Sequence, residues 1–108
     1  MPSIDMSETE QAYEIKAELP GIEPKDIELT LKDDLLTLKG EKRAEREEKR
    51  KNYYLQERSR GAFHRVLRLP DDVEPERITT HYADGVLTVT LPKSEQARSR
   101  IRRIEIQS

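Results

Sequence analysis

A chain of 108 residues has room for one domain and not for two. Apolar residues make up 33% of it and aromatic residues 5%, too few to build a core and line a large ligand pocket as well. Charged residues reach 39%, but the signs are mixed and the net charge is only -2, which gives no pull toward nucleic acid or an anionic membrane; the absence of cysteine excludes disulfides, thiolate zinc sites and a cysteine nucleophile together.

The opening Met1-Pro2-Ser3-Ile4-Asp5 has neither the basic start nor the apolar stretch of a signal peptide. No later apolar run approaches the ~20 residues that span a bilayer, so the expected location is the cytoplasm. Tyr13, Ile15, Ala17 and Leu19 then alternate with Glu14, Lys16 and Glu18, the period-two mark of a half-buried strand. After a Pro20-Gly21 turn, Ile27, Leu29 and Leu31 alternate with Glu28, Thr30 and Lys32. Asp33-Asp34 reads as a tight hairpin leading into Leu36 and Leu38.

From Glu41 to Lys51 every residue except Ala44 is charged, and there is nothing to bury. The i,i+4 pairs Glu45–Lys49 and Glu47–Lys51 suit a solvated helix; an extended, mobile loop suits the pattern equally. Tyr53-Tyr54-Leu55 would form a short strand, so Glu41 to Arg60 reads as a long excursion from the sheet, the kind of segment that tends to carry function. Phe63, Leu67 and Leu69 resume the alternation, and Leu87, Val89 and Leu91 follow the turn signal Asp84-Gly85. Leu19-Pro20, Leu69-Pro70 and Leu91-Pro92 each close a strand, because proline has no N–H to give to a ladder. Helical spacing is sustained nowhere among the apolar residues. The predicted class is all-β, a sandwich of short strands over residues 1–92, with a flexible, polar and basic extension over 93–108. That extension ends in Ile104-Glu105-Ile106.

Little in this pattern points to catalysis. His64 and His81 sit inside strand patterns with no second ligand at metal spacing. Gly21, Gly40, Gly61 and Gly85 form no phosphate-cradling loop, there is no Gly-x-Ser-x-Gly elbow, and no carboxylate is marked as desolvated. No catalytic, cofactor-binding or metal-ligating residue is assigned, and the expectation is a binding protein and not an enzyme. Arg98, Arg100, Arg102 and Arg103 could contact phosphate or RNA, but no aromatic residue interleaves for stacking; a solvated linker is the preferred reading. Arg65 shares the parity of Phe63, Leu67 and Leu69. A charge there either snorkels at an edge or is satisfied across a subunit interface.

The tail is the sharpest feature. Ile104 and Ile106 fall on one side of an extended strand, which can add to an exposed sheet edge and drop its side chains into pockets. The alternatives are a last strand of the same domain, which the charged spacer after Pro92 disfavours, and chance hydrophobicity in a loose end. Burying two isoleucines gains about 3–6 kcal/mol gross, and ordering each tail residue costs about 1–2 kcal/mol. One clip is therefore weak, and many in one assembly hold by multivalency.

Taken together, these residues resemble the small heat-shock protein family and its alpha-crystallin domain. Ala83-Asp84-Gly85-Val86-Leu87-Thr88-Val89 is similar to the family's strand-turn-strand signature. Leu19-Pro20-Gly21, Leu38-Lys39-Gly40-Glu41 and Phe63-His64-Arg65-Val66-Leu67-Arg68-Leu69-Pro70 also match, as does the Ile104-Glu105-Ile106 tail motif. The likeness covers nearly the whole chain and is nearest to the bacterial and plant branch, given the long charged segment before Tyr53. Thr80 and Leu67 depart from the usual alanine and phenylalanine, and the apolar arm that usually precedes the domain is missing, which reads as trimming. The resemblance implies an immunoglobulin-like sandwich whose dimerisation segment, residues 41–60, exchanges a strand. Lys51, Asn52, Tyr53, Tyr54 and Leu55 of one subunit would pair with the partner's first strand near Ile4, Asp5 and Met6, with Arg65 at the interface. It implies a groove, lined by Ile27, Leu29, Leu31, Ile78, Thr80 and Tyr82, that receives Ile104 and Ile106 of a neighbouring dimer. The implied function is an ATP-independent holdase chaperone without cofactor, whose partners are itself and unfolded clients, with no nucleic acid and no membrane. An oligomeric scaffold or cochaperone-like module is the alternative.

Overall fold

The computed structural model describes residues 2–42 and 61–108. In chain order the described elements are β1 (Ile4–Glu8), β2 (Ala12–Glu18), β3 (Ile27–Lys32), β4 (Leu35–Lys42), β5 (Gly61–Arg68), β6 (Thr79–Ala83), β7 (Val86–Pro92) and a short helix α1 (Glu95–Ser99). Two 3₁₀ turns, Pro24–Asp26 and Pro75–Arg77, lead into β3 and β6, each opened by a proline whose missing N–H costs nothing at a helix start. All strand pairs are antiparallel. One sheet has the order β1-β2-β7-β6 and the other β3-β4-β5.

The alternation in the sequence becomes the core directly. Tyr13, Ile15 and Ala17 of β2 face Leu87, Val89 and Leu91 of β7, their register partners running from Tyr13–Leu91 to Ala17–Leu87. Leu36 and Leu38 of β4 close on them from the second sheet, with Leu19 and Leu69 at the strand ends. This is the all-β sandwich that the period-two runs predict. The Asp33-Asp34 and Asp84-Gly85 hairpins are also where the sequence puts them. Asp84 (φ 53°) and Gly85 (φ 77°) are both left-handed, the conformation that a two-residue hairpin turn needs to match strand twist.

Three features differ from the sequence reading. β4 runs on through Glu41 and Lys42, so the charged segment begins as a strand; the rest of it, including the expected strand at Lys51 to Leu55, lies outside the described residues. A helix exists after all. The Ser94 side chain caps α1 by accepting from the Ala97 N–H at 3.0 Å, and Ala97 is buried, so one cap and one small apolar contact set a helix that no apolar period announces. The chain also stays on the sandwich beyond the boundary at Pro92. The Lys93 N–H donates to the Gln11 carbonyl and the Ser94 N–H to the Asp72 carbonyl, so packed structure runs on through α1.

Candidate interaction surfaces

Among the described strands, a four-strand sheet over a three-strand sheet leaves β1 and β6, and β3 and β5, as edges. Between β3 and β6 lies an apolar cavity of about 170 Å³, lined by Pro24, Ile27, Leu29, Thr80, Tyr82 and Leu87. It is comparable with cavities of about 150 Å³ that hold one benzene-sized group, which suits a single branched aliphatic side chain. Four of the six expected groove residues, Ile27, Leu29, Thr80 and Tyr82, meet here. Leu31 and Ile78 pack against the core without lining this cavity. Pro24 and Leu87 are additions: Leu87 could have been found, as the cross-strand partner of Tyr82, whereas Pro24 depends on how the 3₁₀ turn enters β3. The Tyr82 hydroxyl donates to the Leu19 and Ile22 carbonyls, at 2.8 and 2.6 Å, and so pins the cavity wall to the Leu19–Ile22 turn.

The tail motif is open to solvent. Ile104 is 73% exposed and Ile106 88%, and the backbone from Ile101 onward forms no helix or strand. Arg103 donates to the Glu10 carboxylate at 3.0 Å, but both side chains are well exposed (82% and 47%), so this contact holds weakly.

At the opposite edge, β1 carries Ile4, Asp5 and Met6, and its second side is free of pairing among the described strands. Met6 is opposite Ile15 in register and therefore on the inward face, yet it is 46% exposed while Ile15 is 1% exposed. Arg65 lies opposite Leu38, half-buried on the parity of Phe63 and Leu67, with no ion pair to any described residue. Lys51, Asn52, Tyr53, Tyr54 and Leu55 lie outside the described residues.

A polar cluster that sequence reasoning missed closes one end of the sandwich. In register, Glu8 lies opposite Tyr13 and Tyr13 opposite Leu91, so the inward parity of β7 carries on past Pro92 to Lys93. The Lys93 side chain is only 8% exposed. Its Nζ donates to Glu8 Oε2 at 2.6 Å and lies 5.0 Å from the centre of the Tyr13 ring. The Tyr13 hydroxyl in turn donates to the Asp72 carboxylate, 3.0 and 3.1 Å from its two oxygens. Burial, then this hydrogen bond and the charge of Asp72, with smaller contributions from Glu8 and Asp71, push the Tyr13 phenol up to about 12. The signal was the period of Leu87, Val89, Leu91 and Lys93, interrupted to the eye by Pro92.

Among the described residues no group of three or more His, Cys, Asp or Glu side chains is gathered to hold a metal, and no helix is long and apolar enough to cross a membrane. The model of the Hsp20/alpha crystallin family matches residues 5–107. Small heat shock protein C2 of Rickettsia felis is 41% identical over 106 residues, which cover 98% of this chain and 68% of that protein. A 17.6 kDa class I heat shock protein of Glycine max is 36% identical over 95% of this chain and 68% of its own. Among solved structures, heat shock protein 16.0 of Schizosaccharomyces pombe superposes with a TM-score of 0.75 at 34% identity, over 98% of this chain and 97% of that one. A small heat-shock protein of Xylella fastidiosa, described as having a distinct high order structure, gives 0.74 at 33% identity over 100% and 97%.

Proposed function

Because the chain belongs to the Hsp20/alpha crystallin family, a family of chaperones, we propose that it is an ATP-independent holdase, which binds partly unfolded proteins through apolar surface and keeps them from aggregating. One observation carries this reading: an open apolar cavity between two sheet edges and a pair of solvent-exposed isoleucines occur on the same chain. Surface of both kinds is suited to exchange between tails and clients. Ile104 and Ile106 of one dimer dock along the β3–β6 groove of a neighbour, and heating releases them and frees the groove.

The dimer forms at the other edge. A partner strand, Lys51 to Leu55, pairs with β1 beside Ile4, Asp5 and Met6 and covers Met6, with Arg65 at the same interface. The half-buried Arg65, without an ion pair among the described residues, and the exposed inward-facing methionine support this placement. The working location is the cytoplasm. The test is aggregation of a heated client followed by light scattering without nucleotide. Suppression that grows with the amount of this chain is expected. No suppression, with the oligomer intact, would leave the scaffold reading in its place.

A further inference from the structure

We propose that Lys93 is a positioning residue for the tail, a joint that fixes the direction in which the extension leaves the sandwich and ties that direction to edge strand β1. The side chain is 8% exposed and its charge is met by Glu8, a β1 residue, at 2.6 Å. Its ammonium also lies over the Tyr13 ring, 5.0 Å from the centroid. The backbone on either side of the side chain is held as well, Lys93 N–H to Gln11 and Ser94 N–H to Asp72. A short charge-assisted bond from a buried ammonium is restricted in geometry, although the Glu8 side chain is 56% exposed, whereas both sides of the Arg103–Glu10 contact are exposed and water substitutes for it easily.

Both contacts run to the β1–β2 hairpin, so the tail is fixed at its root and only lightly held farther out. α1 then starts from Ser94, the next residue, and carries the joint's orientation toward Ile101. In consequence, any change in β1, such as pairing with another strand along the side that no described strand occupies, is felt at the tail root through Glu8. The consequence for assembly rests on the tail-docking reading above; the joint itself does not.

Hydrogen exchange of the intact chain, read by mass spectrometry over residues 93–100, tests the joint without reference to docking. Lys93→Met keeps an apolar side chain of similar length and removes the charge, and Glu8→Ala removes the same bond from the β1 side. Each is expected to speed exchange at the root about tenfold, the scale of one charged hydrogen bond, while β7 exchange stays as it was. The exchanged pair Lys93→Glu with Glu8→Lys is expected to restore slow exchange, and Arg103→Ala to leave the root unaffected. Unchanged root exchange in both single variants would overturn the proposal. So would faster exchange spread equally over β2 and β7, because Lys93 would then simply hold the fold. A freed root that shifts the oligomer mass supports joint and docking together; a freed root with unaltered mass supports the joint and counts against docking.

Discussion

At the scale of single residues, Tyr13 combines a hydrophobic role with a polar one. Its ring belongs to the core cluster and carries Lys93 on its face, while its hydroxyl is held by Asp72. A phenol raised from 10 to about 12 keeps its proton in the folded state after the unfolded chain has lost it. Its contribution to stability is therefore complete below pH 10 and lost as pH climbs through 12. Of the four tyrosines in the chain, one is expected to ionise last, near pH 12, in an ultraviolet phenolate titration. Tyr13→Phe should delete that late step and flatten the loss of stability between pH 10 and 12. If the late step persists in Tyr13→Phe, the raised phenol belongs to another tyrosine.

Among the elements, the β6–β7 hairpin is the place where local chemistry is least negotiable. Gly85 sits at φ 77°, a Cβ there would lie 3.3 Å from Pro20 Cα, and its carbonyl accepts from the Leu19 N–H at 2.6 Å. Gly85→Ala is expected to cost about 1–2 kcal/mol through the left-handed backbone alone, seen as a lower urea midpoint with the slope unchanged. This hairpin was legible in the sequence because Asp-Gly between two alternating runs has few other uses, and the same holds for most strands, whose inward residues announce themselves every second position. Other parts were not legible for physical reasons. α1 depends on a Ser94 cap and buried Ala97, neither of which makes a period. Lys93 and Glu8 look like ordinary surface charges until register puts them on one inward face. The β3–β6 groove joins residues some fifty positions apart (Leu29 and Thr80, for example), so no local pattern could bring them together; the family resemblance, and not periodicity, supplied that expectation.

For the molecule as a whole, the balance of forces at the tail decides how it assembles. Burial of Ile104 and Ile106 gains about 3–6 kcal/mol, and each residue ordered on docking costs about 1–2 kcal/mol. Were the whole extension loose from Pro92, that cost would exceed the gain. Packing of Lys93 and α1 on the sandwich leaves only the stretch after Ser99 to be ordered, which lowers the cost of a docking event that is still weak on its own. An assembly held by such contacts is stable only where many act together, whereas the strand exchange proposed at β1 would not depend on numbers in that way. The two levels should therefore separate. Ile104→Ala combined with Ile106→Ala is expected to reduce the mass in multi-angle light scattering to that of the dimer and leave the dimer intact on further dilution. Deletion of residues 45–54 is expected to give monomers even with the tail present, because a single clip has too little affinity to hold two chains by itself. A double-alanine variant that keeps its full mass would place the higher-order contacts away from the tail, and a dimeric deletion variant would place the dimer contact away from the exchanged strand. Warming the unaltered protein should follow the first pattern before the second, with mass falling toward the dimer while the sandwich remains folded by circular dichroism, since the weaker contact is the first to be lost.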